Sequence, residues 1–98
     1  MIVVICDATI APEKQTAYVE KINASGVIAK TNAEQGCISY ELSSIAGAPG
    51  KMYVTERWES MDALQAHIAG PVIAEFRSIG AEFGFELTAA IYEAEKVN

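Results

Sequence analysis

Apolar and polar positions alternate along the chain in stretches of two kinds, one with a period of two and one with a period near 3.6. Ile2 to Ile10 is rich in β-branched residues and predicts a strand, with Ile2, Val4 and Cys6 facing one way and Val3 and Ile5 the other. Both faces are apolar at its start, as in a strand central to a sheet and covered on both sides. Pro12 fits the first turn of a helix, with Glu13 near the positive end of the helix dipole. Tyr18, Val19, Ile22 and Ala29, with the small Ser25 and Gly26, make one stripe at helical spacing. Lys30 suits the helix end, and Thr31 to Gly36 turns the chain.

Cys37 to Ile45 alternates again, with Ile38, Tyr40 and Leu42 on one face and Ser39, Glu41 and Ser43 on the other. Ala46 to Gly50 (AGAPG) reads as a turn, so Met52 to Trp58 forms a hairpin with the strand before it. Ser60 is a good helix N-cap and Asp62 falls in the first turn. The short helix that follows carries Met61, Leu64 and Ile68 and stops at Gly70. Pro71 opens another, with Val72, Ile73, Phe76, Ile79 and Phe83 inward. Phe85 to Glu95 predicts the last strand.

The resulting order is β-α-β-β-α-α-β: an α+β, ferredoxin-like βαββαβ unit whose second helix is broken at Gly70–Pro71. One domain spans residues 1–98, with no low-complexity segment or linker. Four antiparallel strands carrying helices on one face leave the other face open. Val3 and Ile5 make part of that face apolar, although Glu41, Arg57 and Glu86 share it. A second copy covering it would give a homodimer.

Composition narrows the picture. Apolar residues are 51 % of the chain, but sixteen of them are alanine, so the core is modest and self-association is an expected source of stability. The net charge of −6 argues against nucleic acid or an anionic membrane as partner, since both attract basic surfaces. Cys6 and Cys37 lack metal-site or disulfide spacing and are expected to be buried, reduced thiols. The segment MIVVICDATIAPEK has neither the basic start nor the long apolar core of a secretion signal, and no segment approaches the ~20 apolar residues of a membrane span. A cytoplasmic protein is the default. There is no GxGxxG, P-loop or HExxH, so no cofactor and no metal is expected.

Four segments taken together carry a resemblance that runs from the first strand to the last: EQGCISYEL (Glu34 to Leu42), YVTERWES (Tyr53 to Ser60), ALQAH (Ala63 to His67) and GPVIAEF (Gly70 to Phe76). In order and spacing the chain resembles the antibiotic-biosynthesis monooxygenase family, closest to its small quinol monooxygenase-like members. The resemblance implies a dimeric α+β barrel built from two such units. It also implies a pocket between each sheet and its own helices, and a cofactor-independent oxidation of a quinol or other electron-rich aromatic by O₂. The partners implied are a small aromatic substrate and O₂. A deprotonated aromatic can itself reduce oxygen, so the protein need supply only an apolar pocket, a group to manage the proton and donors for an oxyanion. Some family positions differ. Polyketide-tailoring members have Asn and Tyr where Val54 and Leu64 stand; many quinol-type members have His where Val72 stands. The haem-ligating His of other relatives falls near Arg77, which cannot ligate haem. Two rivals follow: a non-catalytic dimeric module that binds a small ligand, and an isomerase acting on a small phosphorylated compound.

The candidate residues are few. His67 is the only histidine and sits at the edge of an apolar helix stripe, placed to act as base toward a phenol or to be a helix-end side chain favoured by the dipole. Glu56 shares a strand face with Met52, Val54 and Trp58. A carboxylate there must be paired, with Arg77 or helix N–H groups, or else hold its proton and take a catalytic part. Trp58 packs in the core or walls the pocket. Tyr40, Phe76 and Phe83 are core residues or pocket edges. Arg77 is a surface charge or holds an oxyanion, and Arg57 points to the presumed dimer face.

Overall fold

β1 (Ile2–Thr9) lies between two antiparallel neighbours in the computed structural model, which describes residues 1–98. Its alternating residues divide the molecule: Ile2, Val4, Cys6 and Ala8 are buried against helices, while Ile5 on the opposite face is 38 % exposed. Next come α1 (Pro12–Ser25), α2 (Val27–Asn32), β2 (Cys37–Ser44) and β3 (Lys51–Trp58). α3 (Met61–Ile68), α4 (Pro71–Phe83) and β4 (Glu86–Glu93) complete the chain. The sheet order is β2-β3-β1-β4, every pair antiparallel. No helix is long and apolar enough to cross a membrane.

The expected dimeric α+β barrel does not form. The four strands make one open sheet, and β2 and β4 are free edges, each hydrogen-bonded to a single neighbour. The physical reason is strand number: a closed barrel whose interior side chains fill the bore takes about eight strands. What stands is a small α+β layer pair with one sheet face covered by helices.

Three local expectations are also corrected. The first helix is not continuous to Lys30; it ends at Ser25 and restarts at Val27, because Gly26 adopts a left-handed φ of 75°. Ser25 Oγ staples the break, donating to Ile22 O at 2.6 Å and accepting from Val27 N at 3.3 Å. In β2 a register shift between Cys37 and Ser39 turns Ile38 out to 46 % exposure, so Cys37, not Ile38, shares the covered face with Tyr40 and Leu42. In α3 the inward pair is Leu64 and His67, with Met61 and Ile68 about 40 % exposed. The break at Gly70–Pro71 and the Ser60 cap are as expected: Ser60 Oγ accepts from Ala63 N at 3.1 Å.

The core lies between the helices and the covered face. Tyr18, Ile22, Val27, Leu64, Phe76 and Ile79 descend from the helices onto Val4, Met52, Val54 and Trp58. Each such fully buried side chain contributes about 1.5–3 kcal/mol. The helical layer stops short of β4. Leu87 and Ile91 point to the helical side yet remain 40 % and 50 % exposed. That shortfall leaves room for the site.

Candidate active site

The local sequence explains how His67 is presented. Ser60 caps α3, and seven residues later the helix turns His67 onto the same inward face as Leu64. Its ring is nearly fully buried, 4.8 Å from the Trp58 ring at 33° and 5.6 Å from the Tyr40 ring at 58°. Nδ1 meets Glu34 Oε1 at 2.5 Å. Glu34 stands in the turn between α2 and β2, held by Glu34 N donating to Thr31 O and Cys37 N donating to Glu34 O. Glu59 N donates to Gly36 O at 2.8 Å and ties that turn to the start of α3.

A carboxylate can only accept, so the ring proton belongs on Nδ1. In the neutral ring Nε2 then carries the lone pair. It is buried and has no hydrogen-bond partner. His67 also borders a cavity of about 200 Å³ between the covered sheet face, α3 and α4, among predominantly apolar walls. Val54, Leu64, Ile73 and Phe76 form part of that wall, and Ile68, Leu87 and Ile91 form its exposed rim beside β4.

Glu56 is the second polar group on the cavity, 6 % exposed. Burial pushes its carboxyl above the ordinary range; the Trp58 indole N–H, His67 and the Cys6 thiol each pull the other way without reversing it. Oε1 accepts from Trp58 Nε1 at 3.0 Å, and the Cys6 thiol points at Oε2 from 3.8 Å. Cys6 itself is pushed up to about 12, chiefly by burial and then by Glu56, so it is a poor nucleophile. Burial, followed by Glu56, also holds the Tyr40 hydroxyl well above its usual range.

Of the residues singled out from sequence, His67, Glu56, Tyr40, Phe76 and Arg77 meet at this cavity. Tyr40 and Phe76 stand at right angles, 6.1 Å apart. Trp58 lies one layer behind, backing the His67 ring and holding Glu56. Phe83 is elsewhere: it packs edge-on against Tyr18, 5.7 Å away. Arg77 is exposed and free of ion pairs, so the Glu56–Arg77 pair is absent; Lys30 pairs with Glu75, and His67 hydrogen-bonds Glu34. Arg57 donates from Nε to Ser39 Oγ at 2.8 Å. Both cysteines are free, Cys6 buried and Cys37 half-buried. No group of three or more His, Cys, Asp or Glu side chains could hold a metal ion.

Glu34 is the residue that reading the sequence passed over. The hairpin would have located it: Cys37 pairs with Trp58, so the turn before β2 must lie beside the chain leaving β3 for α3. A larger hollow of about 760 Å³ at the far end of the sheet, bordered by Asp7, Lys51 and Glu86, is an open groove without an unpartnered buried polar atom.

The comparisons with known proteins agree with this layout. A family model described as antibiotic biosynthesis monooxygenase matches residues 1–78. A solved protein of Deinococcus radiodurans, provisionally named as such a monooxygenase, superposes with a TM-score of 0.85 at 22 % identity, covering 100 % of this chain and 96 % of its own, which speaks for the fold alone. Rv0793 from Mycobacterium tuberculosis gives 0.79 at 25 % identity, with 99 % and 98 % covered. A further solved antibiotic biosynthesis monooxygenase gives 0.80 at 25 % identity, with 98 % and 100 % covered. No curated protein matches.

Proposed function

The chain belongs to the antibiotic biosynthesis monooxygenase family, and on that premise we propose that it oxidises a quinol or similar electron-rich aromatic with O₂ and no cofactor. The observation that carries the reading is His67, which borders an apolar cavity with Nδ1 on Glu34 and with Nε2 buried and unpartnered. A quinol hydroxyl at Nε2 gives up its proton there. The quinolate passes an electron to O₂ and the two radicals combine at a ring carbon adjacent to an oxygen. The imidazolium returns the proton to the peroxide. Loss of that carbon's hydrogen and cleavage of O–O then release water and a hydroxyquinone, so quinol plus O₂ becomes hydroxyquinone plus water. Tyr40 and Phe76 hold the ring, Glu56 orients it by hydrogen bonding, and Arg77 steadies negative charge at the rim.

Oxygen uptake with a panel of reduced benzoquinones and naphthoquinones tests this. Wild type should consume O₂, and His67→Ala should lose about 10²–10⁴-fold. Equal rates in both would remove His67 from the mechanism, and binding without uptake would make the protein a ligand-binding module instead. A homodimer belongs to the same reading, with the uncovered face around Val3, Ile5, Tyr53 and Tyr92 as its contact. Light scattering that returns one chain mass at micromolar concentration would remove that part.

A further inference from the structure

Two proton-handling groups, His67 and Glu56, border the cavity, and that pairing supports chemistry that needs no oxygen. In its neutral form His67 keeps the lone pair on Nε2, because Nδ1–H is donated to Glu34. Glu56 Oε2 has one hydrogen-bond partner, the Cys6 thiol, which donates to it over a long 3.8 Å, so the carboxyl retains capacity to hydrogen-bond a ligand in the cavity. Trp58 braces both, ring against ring with His67 and N–H to Glu56. A base and an acid on one apolar cavity are the requirements for moving a proton from carbon to a carbonyl oxygen.

The rim specifies the rest of the ligand. Arg77 borders the cavity, is exposed, and has no carboxylate within ion-pairing distance. A guanidinium there can take a carboxylate bidentately. An apolar cavity of about 150 Å³ holds a benzene molecule, so about 200 Å³ suits one substituted ring, with Tyr40 and Phe76 in the wall.

We propose that this cavity also catalyses keto–enol tautomerisation of small 2-oxo acids carrying a single aryl ring, with His67 as base, Glu56 as acid and Arg77 as the carboxylate anchor. The C3–H bond breaks toward Nε2, and its electron pair forms the C2=C3 bond. The carbonyl pair moves to oxygen, which takes the Glu56 proton. The imidazolium proton then returns to Glu56 through water at the open rim, so the cycle is closed and nothing is oxidised or reduced. Burial favours the protonated Glu56 carboxyl, the form this step requires.

The test is the anaerobic ketonisation of phenylpyruvate enol, followed by ultraviolet absorbance, with the monooxygenase assay run separately in air. Wild type should accelerate ketonisation in proportion to protein concentration. Glu56→Gln and His67→Ala should each lose about 10²-fold or more, and Arg77→Met should raise KM roughly tenfold or more while kcat holds. Wild type, folded by near-ultraviolet circular dichroism, proceeding at the buffer rate would overturn the proposal; so would a Glu56→Gln variant that keeps the full rate. Because oxygen is absent, quinol turnover in air beside a buffer-rate ketonisation sinks this inference alone, and the converse result sinks the oxygenase reading alone.

Discussion

Two buried polar atoms lack a hydrogen-bond partner, Tyr18 Oη and His67 Nε2, and their surroundings differ in every other respect. Tyr18 stacks on Phe85 at 4.7 Å and receives the edge of Phe83; its hydroxyl is pushed above the usual range by burial alone, and it does not border the cavity beside α3 and α4. His67 has two aromatic neighbours as well, Trp58 and Tyr40, but also a carboxylate on its second nitrogen, and it borders a cavity. An unpaired buried polar group costs about 1–3 kcal/mol wherever it occurs. What separates a site from a packing defect is the room beside the atom and a neighbour that determines its protonation. Variants at each place test that contrast.

The largest effect is expected at Gly36, which belongs to the histidine's framework and not to the tyrosine's. Its φ is 81°, and an added Cβ would stand 2.5 Å from the Cβ of Ala63 on α3. Gly36→Ala should destabilise by about 2–4 kcal/mol, from left-handed strain together with overpacking. It should also push α3 off the turn and separate Glu34 from His67. A midpoint in urea within error of wild type would show that the turn and α3 are not rigidly joined.

Next comes Glu34→Gln, at a positioning residue two positions away. A carboxamide can turn its NH₂ toward Nδ1, which moves the ring proton to Nε2 and removes the lone pair from the cavity. Loss of such a supporting contact typically costs about 10–100-fold in activity. The chain has one histidine, so ¹⁵N ring resonances belong to His67 alone. Wild type should show the proton on Nδ1 and the variant a population on Nε2; an unchanged tautomer would dissolve the distinction between the two orphaned atoms.

Glu56→Gln reads the same cavity through stability. The folded carboxyl sits above its ordinary value of 4.5, so between that value and the folded one the native state holds more protons than the unfolded state. Stability contributed by this group is present at low pH and falls as pH rises above about 4.5. Glutamine removes the titration, keeps an acceptor for Trp58 Nε1, and should flatten the fall in Tm. Each tenfold gain in the carboxyl's proton affinity on folding corresponds to about 1.4 kcal/mol of that fall. Parallel Tm–pH curves for the two proteins would mean that Glu56 ionises in the fold as easily as in the open chain.

Much of this contrast is legible in the sequence, and the reason is periodicity. Alternation in β1 and β3 places Cys6, Val54, Glu56 and Trp58 on one face, and that face is buried. Gly70–Pro71 announces the break between α3 and α4 through local chemistry alone. Three features leave little mark on that periodicity. Glu34 acts on a histidine 33 residues away, through a turn with no periodicity of its own. Gly26 reads as a small residue on a helix stripe until its left-handed φ is known. Sheet closure depends on what lies at the edges of β2 and β4, and a strand's own sequence gives its covered face but not its missing neighbours.

The smallest effect tests the other half of the comparison. Tyr18→Phe deletes one buried hydroxyl and leaves the ring, its stack on Phe85 and its edge contact with Phe83 in place. If the hydroxyl has only been stripped of water, phenylalanine relieves that cost, and thermal or urea unfolding should show a gain of up to about 1 kcal/mol. Quinol oxidation should stay at the wild-type rate, since Tyr18 contributes nothing to the cavity walls. A loss of more than about 1 kcal/mol would mean the hydroxyl is bonded to a trapped water. A loss of turnover at unchanged stability would carry further, because Tyr18 lies close enough to bias the Tyr40 hydroxyl. The two regions would then form one hydrogen-bonded unit, with the site reaching under α1.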